Sequence, residues 1–134
     1  MQVTLAAISL KLSNEMKLIK APLYEDVHRL AIDLVNASSA ENTADEKIAY
    51  DALKKLCLEH DGQDANHPLQ WEALGDFSDN IEDAVYAYGK GLFCARELAV
   101  AEYESSILFA LAELHFENGN ADGTKELALQ AASI

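Results

Sequence analysis

Residues 71–119 read WEALGDFSDNIEDAVYAYGKGLFCARELAVAEYESSILFALAELHFENG. Apolar residues recur there at helical spacing in two segments, with a third after a break near Ala99 to Glu102. Small residues (Gly75, Ala84, Gly91, Ala112) fall where neighbouring helices could touch. The break holds neither proline nor glycine, so the helices on its two sides could run on as one. Helix packed on helix is the arrangement this stretch predicts.

The rest of the chain agrees. Among 134 residues, half are apolar, and only two prolines and six glycines interrupt a composition rich in Ala, Leu and Glu. That mixture favours helix, and long runs of Val, Ile and Thr are missing. One all-α domain over 1–134 is expected, large enough to bury roughly two thirds of its unfolded surface.

Upstream, Pro68 suits the first turn of a short helix to about Phe77, after the polar loop His60 to His67. Thr43 and Glu46 form a Thr-x-x-Glu capping box for a helix through Glu59, with Ile48, Ala49, Ala52, Leu53, Leu56 and Cys57 as its apolar stripe. Pro22 opens another, with Glu25 and Asp26 where the helix dipole favours acids. Its stripe is Val27, Leu30, Ala31, Leu34 and Val35, and the polar run Asn36 to Asn42 ends it. Residues 2–19 predict one more helix, through Val3, Ala6, Ala7, Leu10, Met16, Leu18 and Ile19, which caps the core or meets another chain. Met16 is an alternative start point. Before the break, Ser78 or Asp79 caps a helix from Ile81 to about Glu97, with Asp79 and Glu82 as a capping pair. Gly119 fits a left-handed C-cap, and Asn120 begins a last helix to Ile134. Seven helices are expected in all, with helical hairpins over 22–60, 67–98 and 101–134.

The net charge is −13, from 23 acids and 10 bases. Nucleic acid and anionic membrane surfaces both demand clustered cations, so neither is an expected partner. A basic peptide or a basic protein face is attracted instead. Cys57 and Cys94 stand alone without a CxxC pair, which fits a reducing cytoplasm and two buried thiols. The first ten residues lack both a basic start and a cleavage pattern, and no run approaches a membrane span.

Trp71-x-x-Leu74-Gly75, followed by Ala84, Tyr88 and Gly91, resembles a tetratricopeptide repeat. A later copy places Leu108, Leu111, Ala112 and His115 on a first helix, Gly119 at the turn, and Thr124, Ala128 and Ala131 on the second. An earlier one uses Val27, Leu30 and Ala31, then Ala49, Leu53 and Leu56. The spacing from Leu30 to Leu74 is 44 residues and from Leu74 to Leu111 is 37, an irregular period. The resemblance covers roughly residues 22–134 and implies a short α-solenoid of stacked antiparallel hairpins, a binding module with no cofactor. It implies a trough along the first helix of each pair, lined by Glu25, His28, Glu72, Asp76, Phe109, Glu113 and Glu117. An acidic trough with one aromatic suits a basic peptide with an apolar anchor. The basic residues that would clamp a C-terminal carboxylate are acidic or apolar here. The alternative for these acids is a solvated helix face.

Other groupings carry less. His60, Asp61, Asp64 and His67 are metal-ligating types in one loop, but they match no ligand spacing, and Asp, Asn and Gly also serve turns. Glu25-Asp26-Val27-His28 gives a single Glu-x-x-His, where a di-iron bundle needs two. Tyr86, Tyr88, Trp71 and Phe93 could line a pocket, though aromatics at helix crossings more often form core. Phosphate loops, nucleophile elbows and zinc-protease motifs are all missing, so no catalytic residue is assigned. The sequence therefore predicts a non-enzymatic adaptor, with a homodimer formed through its apolar ends, including LALQAASI, as the alternative and a small-ligand or metal-binding helical protein as the third reading.

Overall fold

A computed structural model describes residues 21–134, which fold as six helices and no strands. These are α1 (Tyr24–Ser39), α2 (Thr43–His60), α3 (Pro68–Asp76), α4 (Ile81–Glu97), α5 (Ala101–Glu117) and α6 (Ala121–Ala132). The seventh expected helix, over 2–19, lies outside the described residues.

Each helix packs on the next in sequence, giving three stacked pairs. Two further contacts set the shape: α1 touches α3, and α3 touches α5. Among the described residues the backbones of α2 and α4 stay apart, while α4 meets α6 through side chains, Arg96 donating to Gln130 at 3.5 Å and Leu127 packing on the cluster that holds Tyr88. The odd helices thus form a continuous layer, with the even ones packed along it.

α3 is the centre of this arrangement, in contact with α1, α2, α4 and α5. Pro68 through Gly75 are all buried, Trp71 completely. Val27, Leu30, Leu34, Leu53, Cys57, Leu69, Leu74 and Tyr103 join Trp71 in the main core, and a smaller cluster of Ala84, Tyr88, Ile107, Leu111 and Leu114 continues it toward α6. The expected stripe of α1 is buried throughout. On α2 one member departs: Ile48 is exposed, because the buried face there is carried by Ala49, Leu53 and Cys57, and Ile48 falls beside it.

Small residues permit the tightest crossings. A Cβ on Gly75 would lie 2.6 Å from the ring of Tyr88, and one on Gly91 would lie 3.0 Å from Ile107 and 3.1 Å from the Cβ of Trp71. Gly89 meets nothing within 4 Å, so of the two glycines in α4 only Gly91 serves packing.

The caps sit one residue from where the Thr-x-x-Glu reading puts them. Asn42, not Thr43, caps α2 by accepting from the Asp45 amide at 3.0 Å, and its own amide donates to Asp45 at 2.7 Å. Asn80, not Asp79, does the same for α4 with Asp83. Asparagine holds both an acceptor and a donor, so one side chain performs both halves of the reciprocal pair. α1 likewise starts at Tyr24, after a turn through Pro22 in which the Tyr24 amide donates to the Ala21 carbonyl.

The break between α4 and α5 is real although no glycine or proline marks it. Ala99 adopts φ +54°, with its amide donating to Arg96 O and that of Val100 to Ala95 O. The same pair of bonds closes α1 around Glu41 (φ +55°) and α5 around Gly119 (φ +76°). All three are Schellman turns, in which a left-handed residue lets the last carbonyls find donors.

Candidate functional site: an acidic face on the odd helices

The charge is divided between the two layers. Helices α1, α3 and α5 carry nine Asp and Glu residues and a single base, Arg29, whereas α2, α4 and α6 carry nine acids and six Lys or Arg. Neither α3 nor α5 has a cation. On the even helices, acids are offset in part by pairs such as Lys47–Asp51 at 2.9 Å and Lys55–Glu59 at 3.7 Å.

Three expected trough residues converge where α3, α4 and α5 meet. Tyr88 of α4, buried, donates its phenolic hydrogen to Asp76 at 2.6 Å. Burial first, and then the negative charges of Asp76, Glu72 and Glu113, push its pKa well above the ordinary tyrosine value. One phenol therefore senses three carboxylates from two odd helices. Ser106 of α5 donates to Glu72 at 2.6 Å, joining the two helices directly.

Exposure divides these acids by role. Glu72 is 1% exposed, a correction to its place on the trough wall: α3 is packed on several sides, so its carboxylate lies inside and braces α5 through Ser106. Asp76 is half-buried, and Glu113 is exposed. Phe109, one turn before Glu113, is 54% exposed, and Glu117 lies one turn beyond it, so the three share a stripe at four-residue spacing. Glu25, exposed, and His28, half-buried with its ring 5.6 Å from that of Tyr24, occupy the first two turns of α1. Among the described residues neither shares a hydrogen bond or ion pair with the acids around Tyr88. A surface groove of about 500 Å³ between α1 and α2 has Ile48 on its wall, and none of the expected trough residues lines it.

The sequence did not reveal Tyr88 and Ser106 as partners of these carboxylates. Tyr88 reads as core, which it also is, and Ser106 sits inside an apolar run. Trp71, too, is core, with the exposed Tyr86 ring edge-on to it at 6.3 Å, whereas Phe93 is exposed on α4.

The loop between α2 and α3 is occupied with structural bonds. His60 Nδ1 lies 2.9 Å from Leu56 O, and Asp61 pairs with Lys90 at 2.7 Å. That hydrogen bond raises the Lys90 pKa, and the ammonium stands 5.5 Å over the Trp71 ring. Asn66 accepts from the Trp71 indole at 2.8 Å. His67 caps α3: its Nδ1 accepts from the Leu69 amide at 3.1 Å, so the proton belongs on Nε2. That Nε2 is buried without a hydrogen-bond partner among the described residues, beside the Tyr103 ring at 5.0 Å. Burial drops the imidazole pKa to about 4. Among the described residues no group of three or more His, Cys, Asp or Glu is placed to hold a metal ion.

Cys57 and Cys94 are free and buried. Burial, reinforced by the nearby Asp61 charge, pushes their thiols up to about 12 and about 11, so both stay protonated and inert at neutral pH. Among the described residues no helix is long and apolar enough to cross a membrane. No known protein family, curated protein or solved structure matches this chain.

Proposed function

We propose that this chain is a non-enzymatic, tetratricopeptide-like module that binds a basic peptide or protein segment across its odd helices. The observation that carries this reading is the segregation of charge: nine acids against one base on the odd-helix layer. Phe109 supplies an exposed aromatic on that layer, with Glu113 and Glu117 along the same stripe. Long-range attraction brings a cationic segment to the face, and the aromatic gives it an anchor once water is displaced. Glu72 and Asp76 contribute field and rigidity through their bonds to Ser106 and Tyr88, while Glu113 and Glu117 are the exposed acids available for direct pairing. Free, buried thiols suit a reducing, cytoplasmic setting.

The test is fluorescence anisotropy of a labelled Lys- and Leu-rich helical peptide titrated with the full chain. Phe109→Ala and Glu113→Lys should each weaken binding by about tenfold, as removal of an anchor or reversal of a facing charge does. Phe93→Ala, on an even helix, should leave it unchanged. If the odd-face variants bind as the parent does, the reading is wrong.

A second reading rests on a separate observation. Phe116 is 72% exposed, Leu129 62% and Ile134 49%, all near the last helix pair. Exposed apolar groups of this kind favour a homodimer. A native mass spectrum of the chain at several concentrations decides it, and a monomer throughout removes this reading.

A further inference from the structure

We propose that α4 is a docking surface for a second copy of this chain, the two α4 helices packing antiparallel about a two-fold axis at Gly89. The buried side of α4 is made by Ala84, Ala87, Tyr88, Gly91, Cys94 and Ala95. At about 100° per residue, the opposite side is centred on Gly89. Val85, Tyr86 and Phe93 surround that glycine and are exposed, Phe93 by 68%, with the half-buried Leu92 at the margin. A solvent-facing helix side that is apolar from Val85 to Phe93 marks an interaction surface. Gly89 has no reason inside the fold. Glycine is disfavoured against alanine within a helix, and a Cβ added here would meet nothing within 4 Å. At the centre of an apolar face, its missing side chain lets another backbone come close.

The face is its own complement. Tyr86 and Leu92 each stand three residues from Gly89, Val85 and Phe93 four, and Glu82 and Arg96 seven. In an antiparallel pair crossing at Gly89, Val85 of each copy lies against Phe93 of the other, and Glu82 against Arg96. A parallel pair would set like charges together at both ends, so charge selects the antiparallel arrangement. Glu82 is exposed and has no ion pair among the described residues. Arg96 donates from Nε to Glu104 at 2.9 Å and from one Nη to Gln130 at 3.5 Å, and its fork of five N–H groups has further donors for Glu82 of the other copy. The occupant also follows from charge. The chain carries −13, yet this strip is uncharged between two ends of opposite sign. A basic segment gains no attraction here, whereas a second copy presents the same pattern reversed. One helix pair is a small interface, of the class that buries less than about 1,200 Å², so dissociation at roughly 10–100 µM is expected.

Sedimentation equilibrium of the full chain over about 1–300 µM tests this. The parent should dimerise, and Gly89→Leu or Phe93→Glu should each weaken the dimer by about tenfold or more while circular dichroism stays unchanged. Leu129→Ser, in the last helix pair, should leave it intact. Glu82→Arg alone and Arg96→Glu alone should each weaken association, and an equal mixture of the two variants should recover it as a mixed dimer, each copy offering the charge the other lacks. Arg96→Glu also sets a carboxylate against Glu104; should that variant unfold, Gly89→Leu, which touches nothing in its own chain, still decides the matter. A parent that stays monomeric throughout overturns the proposal. So does a dimer indifferent to Gly89→Leu and Phe93→Glu, or one dissolved by Leu129→Ser. Two folded charge variants whose mixture recovers nothing overturn the antiparallel crossing. Peptide binding by the odd helices is read separately by anisotropy and stands or falls on its own.

Discussion

α3 and α6 are both short helices that pack as members of a hairpin, yet they live in different surroundings. In α3 eight of nine residues are buried, including Gln70 and Glu72; in α6 Ala131 alone is buried. Intrinsic helix preference does not explain this, since each helix carries a glycine and α6 is the richer in alanine. Position does. α3 is gripped by four other helices, whereas α6 packs on α5 and reaches α4 only through side chains such as Gln130 against Arg96. In a stack of hairpins, each helix draws stability from its neighbours in proportion to how many it has.

The largest expected effect follows from that contrast. Trp71→Ala removes a fully buried ring, its indole bond to Asn66 and the surface on which Lys90 rests. A loss of about 4 kcal/mol is expected, within the range for a buried aromatic cut to alanine. Leu129→Ala on α6, where the side chain is 62% exposed, should change stability by less than about 0.5 kcal/mol. Urea unfolding of the two variants measures both. Comparable losses would mean that α6 is held by more than α5 and these side chains of α4.

The caps of the same two helices sharpen the comparison. Asn120, exposed, caps α6 by accepting from Gly123; His67, buried, caps α3. An unfolded imidazole takes a proton near pH 6.5, but folded His67 takes one only near 4. Between those values the unfolded state binds more protons, so stability must fall as pH falls. From pH 7 to pH 5 the loss assigned to His67 is about 2 kcal/mol by that linkage. His67→Asn keeps a capping side chain without a titrating group. Its stability at pH 7 drops by the packing it forfeits against Tyr103, but its slope between pH 7 and 5 should flatten by the same ~2 kcal/mol. An unchanged slope would show that His67 is not the group responsible.

What the sequence made legible depended on whether the deciding physics was local. The stripe of α1, the Pro68 start and the close approach at Gly91 are local matters of periodicity, φ and side-chain size, and they read correctly. Caps were legible as to place within one residue, because Asn42 and Asn80 adjoin equally eligible Thr43 and Asp79. Glu72 was misread for the opposite reason. A glutamate in a helical pattern looks like solvent face, and only the packing of α3 among several helices puts it inside. The acidity of the odd layer could be seen residue by residue, but its convergence on Tyr88 could not, since Ser106, Tyr88 and Asp76 come together only when three helices cross. The alanine at the α4–α5 break is the remaining case, and it can be tested directly.

Ala99 and Gly119 do the same work at the two ends of α5: each closes the turn beyond a helix with a positive φ and the same two backbone bonds. They differ only in the methyl group. For an L-residue with a Cβ the left-handed region costs about 1–2 kcal/mol, a cost glycine does not carry. Both positions are exposed, so packing does not cloud the substitution. Ala99→Gly should therefore stabilise the fold, by about 0.5–1 kcal/mol after the extra freedom glycine gives the unfolded chain is deducted. Gly119→Ala should destabilise by about 1 kcal/mol, although nothing stands within 4 Å of the added carbon. The double exchange should nearly cancel, since the sites are separated by the length of α5 and share no partner. Thermal or urea midpoints of the three variants check the set. If Ala99→Gly lowers the midpoint, the end of α4 is set by the pull of Val100 and Tyr103 into the core and not by the turn itself.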